Sequence, residues 1–405
     1  MARDGVPVGP ELAALVARVH DGARVQVRAE CVRLGVSTKT FYKYLARFAE
    51  EGVAGFYPRS RRPLSSPTRV GAEVEDVIVR ARKELDNQGW DAGAEQIAFW
   101  INDHRQIWPV GAVVPSRATI NRILERRGQI VRVPQRCPRS SRHRFEAAQP
   151  NTMWQMDGFE FDLADGSTVV ILQIIDDCSR FDLGLRAAPS ENGQDVWAAV
   201  LHAGQRHGLP ARFLTDNGGA FSGRRRGWIS RLEENLRAIG VHPITSSVGH
   251  PQTCGKNERA HATVLKWLRK RPVPDTLQDL QALLDTYRHR YNHQRRKTHL
   301  GGLTPAQRYT LGPADGPGHG STPWPLSIRT AIVSASGCIG IDKHLLGVGR
   351  RWAGTQVTTI RRHHQITVFA SNELIAEFTL TGHRGYQAKN AYRYRSPETQ
   401  VSPMS

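Results

Sequence analysis

The 405-residue sequence predicts a multidomain protein with N-terminal all-α helix-turn-helix units, a central α/β unit and a small C-terminal β-barrel. Three observations carry that prediction. Apolar residues recur at helical spacing as far as residue 131. β-rich runs take over at residue 151, and short alternating strands follow residue 327. The division expected is a helix-turn-helix domain over 1–57, a basic linker over 58–71, a second helix-turn-helix-like domain over 72–131 and a basic linker over 132–150. An α/β unit over 151–310, a linker over 311–326, the barrel over 327–395 and a disordered tail over 396–405 complete the chain.

The elements follow in order. Leu12, Leu15, Val16 and Val19 mark a first helix, and residues 25–33 a second. Leu34-Gly35-Val36 reads as a tight turn before Ser37, an N-cap for a third helix with Phe41, Leu45 and Phe48 on one face. Lys39, Thr40 and Lys43 fall elsewhere on that helix, exposed and able to reach DNA, as in a helix-turn-helix. A second helical unit has Val74, Val77, Ile78, Ala81 and Leu85 on one helix, a helix over 94–103, and a third capped by Ser116. Residues 132–144 hold five arginines and no acid. Among them Arg136, Arg139 and Arg142 are candidates to lie along a phosphate backbone.

From residue 151 the order is three strands, helix, strand, helix, strand and two long helices, a mixed α/β pattern. Ala164-Asp165-Gly166 joins the first two strands as a hairpin. A helix over 228–239 carries Glu233 and Glu234 opposite its apolar face, where solvent exposure accounts for them. Strands near 328–333, 357–360, 366–369 and 374–378 suggest the barrel.

The formal net charge is +19, from 56 Lys+Arg against 37 Asp+Glu, which points to a polyanionic partner. Its distribution is uneven: residues 101–150 are net +7, residues 151–200 net −7 and residues 251–300 net +7. Carboxylates repel phosphate, so an acidic block in a basic chain is understandable if some of them hold divalent metal. A solvated acidic face is the plainer alternative. The sequence has no apolar run of membrane-spanning length and no N-terminal basic stretch leading into an apolar core, so neither a membrane helix nor a signal peptide is expected. The five cysteines are scattered and lack Cys-x-x-Cys spacing, which argues against disulfides and zinc and for the reducing cytoplasm.

Three acids stand at element ends: Asp157 in the first strand of the α/β unit, Asp216 after a short buried strand, and Glu258 opening a helix behind a Gly/Pro-containing loop. An acid among apolar strand residues is costly unless paired or metal-bound, and open α/β sheets place their sites at strand C-termini. A few hard oxygen ligands suit Mg²⁺ or Mn²⁺. Taken singly, Asp216-Asn217-Gly218 is also an ordinary turn and Glu258 also an ordinary helix N-terminal acid. Asp177 follows a strand, with Arg180 as a pairing partner.

The motifs Trp154-Gln155-Met156-Asp157, Ile175-Asp176-Asp177-Cys178-Ser179-Arg180, Thr215-Asp216-Asn217-Gly218 and His250-Pro251-Gln252…Gly255-Lys256-Asn257-Glu258-Arg259 come in that order. They are followed by Tyr291-Asn292…Thr298-His299-Leu300-Gly301-Gly302-Leu303-Thr304-Pro305. With them the chain resembles the integrase-type DDE transposases of bacterial insertion sequences, relatives of retroviral integrases. The resemblance implies a ribonuclease-H-like catalytic core and a metal-binding, catalytic triad of Asp157, Asp216 and Glu258. It also implies two Mg²⁺ ions, with Mn²⁺ able to substitute. Asn217, His250 and Lys256 would lie near substrate, Arg259 would support Glu258, and Asp177 and Arg180 would stand behind them. The 41 residues between Asp216 and Glu258 exceed the family's usual spacing, with the surplus around the basic stretch Ser222–Gly227.

The implied activity is cleavage of the transposon end to free a 3′-OH, followed by attack of that hydroxyl on target DNA. The implied partners are double-stranded DNA, namely terminal inverted repeats and target, and a second copy of the chain in a homodimer or larger oligomer at the bacterial nucleoid. A non-catalytic DNA-binding regulator and an inactive transposase derivative are the competing readings.

Overall fold

The computed structural model describes residues 8–59, 70–130, 146–215, 230–245, 255–317 and 326–390. The chain divides into two compact units, Met1–Val70 and Gly71–Ser405.

In the first unit, α1 (Pro10–His20), α2 (Val27–Arg33) and α3 (Thr38–Glu51) enclose Leu12, Leu15, Val16, Cys31, Phe41 and Phe56. The turn between α2 and α3 has Gly35 at φ +65°, and Ser37 caps α3 by accepting from the Thr40 backbone N–H at 3.1 Å. Lys39 and Lys43 are exposed on α3, as expected. Thr40 is not: it is half-buried, with its hydroxyl 2.8 Å from Ser37 Oγ, so the cap draws it back onto the helix.

The second unit begins with α4 (Ala72–Asn87), α5 (Ala94–Asp103) and α6 (Arg117–Arg126). Val74, Val77, Ile78, Ala81 and Leu85 are buried along α4, and Ser116 caps α6. There follow β1 (Met153–Asp162), β2 (Thr168–Asp176), β3 (Asp182–Ala188), α7 (Gly193–His207), β4 (Arg212–Thr215), α8 (Arg231–Ala238), β5 (His242–Thr245), α9 (Gly255–Leu268), α10 (Leu277–His293) and α11 (Pro305–Tyr309). Among the described residues the central sheet has the order β3-β2-β1-β4-β5, antiparallel across β3, β2 and β1 and parallel across β1, β4 and β5. Trp154, Met156, Leu172, Ile174, Val196, Trp197, Phe213 and Leu236 form its core with α7 and α8.

Glu233 departs from the sequence expectation. α8 starts at Arg231 behind the Ser230 N-cap, which puts Glu233 in the first turn. There it is buried and accepts from the Ser230 backbone N–H at 2.9 Å, completing a capping box.

The helices α4 and α5 pack on the sheet-covering helices. Trp90 stacks on Tyr287 of α10 with ring centroids 5.7 Å apart, and Lys266 Nζ of α9 donates to its carbonyl at 2.7 Å. Thr298 Oγ1 donates to Glu95 Oε2 at 2.6 Å, and Arg296 pairs with Asp103 at 2.7 Å. Gly89 makes this approach feasible. Its φ is +82°, and a Cβ there would stand 2.7 Å from the Trp267 Cα.

The C-terminal strands are β6 (Leu326–Ile332), β7 (Cys338–Ile341), β8 (His344–Gly347), β9 (Gln356–Arg362), β10 (Gln365–Ala370), β11 (Glu373–Thr379) and β12 (Gly385–Ala388). Among the described residues they form a four-stranded sheet, β11-β10-β9-β6, and a three-stranded sheet, β12-β8-β7. No closed barrel is found among those residues. The two sheets share a core of Val333, Ile339, Leu346, Val357, Ile366, Val368 and Phe378. The larger sheet also turns Ile360 and Phe369 toward α7, with Phe369 4.9 Å from the Trp197 ring. β7, β8 and β12 are short and Gly-containing, and their weak alternation hid them in the sequence.

Gly89→Ala is expected to lower the unfolding free energy by more than the ~1 kcal/mol typical of a point substitution, because backbone cannot yield as a side-chain tip can. Urea denaturation of the full chain checks it. Burial pushes His207 down to about 4 from 6.5, so its stabilising contribution is complete above about 6.5 and is lost as pH falls toward 4. Asp182, pushed up to about 6 by burial, acts in the opposite sense, so the informative quantity is a difference. The stability gap between the wild type and His207→Gln should shrink as urea melts are moved from pH 7.5 to pH 5.

Candidate active site

The strand β1 carries Asp157 beside Gln173 of β2, with Oδ1 accepting from the Gly158 backbone N–H at 3.0 Å. On its other side β1 runs parallel to β4, with Met156 level with Thr215. Asp216 is the next residue in the sequence and lies outside the described residues, as do Asn217, His250, Arg136, Arg139 and Arg142.

Glu258 is exposed in the first turn of α9, a helix that packs against β1. One turn further, His261 brings its Nδ1 to 3.9 Å from Asp157 Oδ2, and its ring lies 4.3 Å from that of Phe159. Burial pushes this imidazole down to about 4, so it is neutral at pH 7. His261 was not singled out in the sequence. Its signal is the i,i+3 spacing from Glu258, which puts both on one helix face.

Behind this surface lies a buried ionic cluster. Asp177 is fully buried and accepts from Gln155 Nε2 at 2.6 Å, from the Ala147 backbone N–H at 2.8 Å and from Arg180 Nη1 at 3.1 Å. Lys256, two residues before Glu258, pairs with it as well. Burial and the nearby Arg180 cation push the Lys256 ammonium down, against the pull of Asp177. Arg180 sits at φ +60°, an uncommon region for a side chain of its size. Its guanidinium is anchored on the Asp177 carbonyl and carboxylate, which holds that backbone in place. Three residues expected near the site thus meet, tying β1, the end of β2 and α9 together.

Arg259, expected to support Glu258, is exposed, and its carbonyl accepts from Thr263 Oγ1 at 2.9 Å. Two further acids of the net −7 block have structural work. Asp176 accepts from the Asn151 and Ser179 backbone N–H groups, both at 2.8 Å, and burial pushes its carboxyl up. Asp182 accepts from Gln173 Nε2 at 2.6 Å, while its backbone exchanges hydrogen bonds of 2.9 Å with Asn292 of α10.

Asp157 and Glu258 offer the hard oxygen donors that suit Mg²⁺ or Mn²⁺. Lys256 and Arg180 pair with Asp177, and an uncharged imidazole, that of His261, stands beside Asp157. The donor chemistry therefore fits a divalent cation. Among the described residues no three His, Cys, Asp or Glu side chains are gathered closely enough to hold a metal. Asp177→Ala should lower stability by about 3–5 kcal/mol, because it strands two partly buried cations. Urea unfolding at pH 7 measures that loss.

Two Integrase core domain models match residues 147–251 and 239–305, and a Homeodomain-like domain model matches residues 40–124. The transposase InsD for insertion element IS2A/D/F/H/I/K of Escherichia coli is 26% identical over 172 residues, covering 40% of this chain and 55% of that protein. An uncharacterized 48.2 kDa protein of insertion element IS2A from Escherichia coli is 25% identical over 181 residues, covering 43% of this chain and 41% of that protein. The chain thus spans about half the length of these curated relatives. A solved structure, the HTLV-2 integrase catalytic core domain in complex with magnesium, is 20% identical with a TM-score of 0.33, covering 40% of this chain and 99% of that one. Residues 147–305, which include the strand order β3-β2-β1-β4-β5, are thus similar to the integrase core domain and to insertion-element transposases.

Proposed function

We propose that this protein is a DDE-type DNA transposase that binds the ends of its mobile element, cleaves them to free 3′-OH groups and transfers those strands into target DNA. The observation that carries the proposal is the parallel register of Met156 with Thr215, which brings two adjacent strands level one residue before each candidate acid. Asp157, Asp216 and Glu258 are the proposed catalytic, metal-holding triad. The Integrase core domain matches cover all three positions. Two Mg²⁺ ions, or Mn²⁺, would supply Lewis-acid polarisation of the attacking and leaving oxygens of the phosphodiester.

The chain's own residues have distinct parts in this scheme. The Asp177–Lys256 pair holds the start of α9, and with it Glu258, against the sheet. Asn217 and His250 are proposed to face the scissile strand. Exposed Lys39 and Lys43 are proposed to contact the element's ends, and Arg136, Arg139 and Arg142 the DNA backbone. Joining two ends requires two active sites, so the working form is proposed to be a homodimer or larger assembly on DNA. No described helix is long and apolar enough to cross a membrane.

The test uses the full chain, Mg²⁺ and duplexes carrying the inverted repeats that flank its gene. D157N, D216N and E258Q should each reduce end cleavage by more than the ~100-fold reached by outer-sphere changes at metal sites, while mobility shifts of the ends persist. Unchanged cleavage in any of the three removes that residue from the triad. A wild-type chain that shifts the ends but never nicks them favours the regulator reading. Replacing Lys39 and Lys43 together with Ala should weaken end binding and flatten the log–log salt dependence by about two units. Titration of binding against salt reads that change.

A further inference from the structure

Resting on the proposed metal-dependent reading, we infer that His261 is a positioning residue for Asp157, holding the rotation of its carboxylate so that the acid is set for a divalent cation. The imidazole is one turn from Glu258 along α9 and 3.9 Å from Asp157 Oδ2.

Asp157 faces a nitrogen group with each oxygen. Its Oδ1 accepts from the Gly158 N–H at 3.0 Å, and Oδ2 faces the imidazole Nδ1. A separation of 3.9 Å is beyond hydrogen-bond length. A small turn of the carboxylate would bring that donor within reach. The ring has little room to turn: it lies 4.3 Å from the Phe159 ring, its side chain is 11% exposed, and its Nε2 is buried with no hydrogen-bond partner among the described residues.

That orphaned Nε2 assigns the tautomer. A buried imidazole with one proton leaves one nitrogen as a bare acceptor, and an N–H aimed at a carboxylate is worth more than one aimed at nothing. The proton therefore belongs on Nδ1, facing Oδ2. A lysine or arginine here would orient Asp157 equally well but would cancel the charge a cation needs. The imidazole orients without neutralising, as an outer partner of a metal ligand does.

The experiment titrates Mn²⁺, and in parallel Mg²⁺, into the full-length wild type, H261Q and H261M by isothermal calorimetry, with thermal melts in the absence of metal. Gln keeps an N–H donor, whereas Met keeps apolar volume and adapts to irregular sites. H261M should bind Mn²⁺ at least about ten-fold more weakly, and H261Q should recover most of that loss even if both melt at the same temperature. In a D157N background the same His261 substitution should change Mn²⁺ affinity little. Wild-type affinity in H261M overturns the inference. Equal weakening in H261M and H261Q also overturns it, because packing alone would then explain the effect. If the wild-type chain itself binds neither ion, the metal-dependent reading fails, and this inference with it.

Discussion

The buried Asp177 carboxylate is the constraint on which the rest of the site depends. A fully buried charge survives only if donors surround it. Asp177 recruits Gln155 from β1, the Ala147 backbone N–H, Arg180 from the turn after β2 and Lys256 from the first turn of α9. Each donor belongs to a different segment, so satisfying one charge fixes the geometry of four. Lys256 and Glu258 share the first turn of α9, so the ion pair that stabilises the fold also sets where Glu258 begins. Asp157, on the same strand as Gln155, inherits its position from the same network.

The acidic block of residues 151–200 takes on a different meaning in this light. Its nine acids include Asp176, Asp177 and Asp182, all with 0% exposure and all bonded to backbone or side-chain donors. Much of the net −7 is therefore structural. The basic flanks are partly compensated too: Arg126 and Arg127 of the α6 region pair with buried Glu75, Arg127 also with Asp76, and Arg117 with Glu95. These cations knit the second helical region together, whereas Lys39 and Lys43 of the first stand exposed on α3.

The helix-turn-helix signals, the α/β order and the register-bearing strands were legible because they rest on local physics. Ser37 and Ser116 cap their helices, Gly35 takes a left-handed turn, and apolar residues at period 3.6 or 2 point to one face. Two readings failed at helix N-termini, where bonds between residues three apart draw a side chain back onto the helix. Thr40 was drawn into a cap and Glu233 into a buried capping box. The seven C-terminal strands arranged themselves as two facing sheets because Ile360 and Phe369 cover α7 on one side while Val357 and Val368 face the other sheet.

By itself, the sequence determined the element order from α1 to α10 and the two candidate acids now seen on β1 and α9, while the family resemblance set Lys256, Asp177 and Arg180 near them. The order follows from periodicity along the chain, and the acids from carboxylates standing at element ends. Only the tertiary structure decided that Asp176, Asp177 and Asp182 would be buried supports, that α4 and α5 would pack on α9 and α10 through Gly89 and Trp90, and that His261 would stand against Asp157. Burial and long-range pairing decide such roles. Both are properties of surfaces that meet only after the strands have aligned, so no window along the chain contains them.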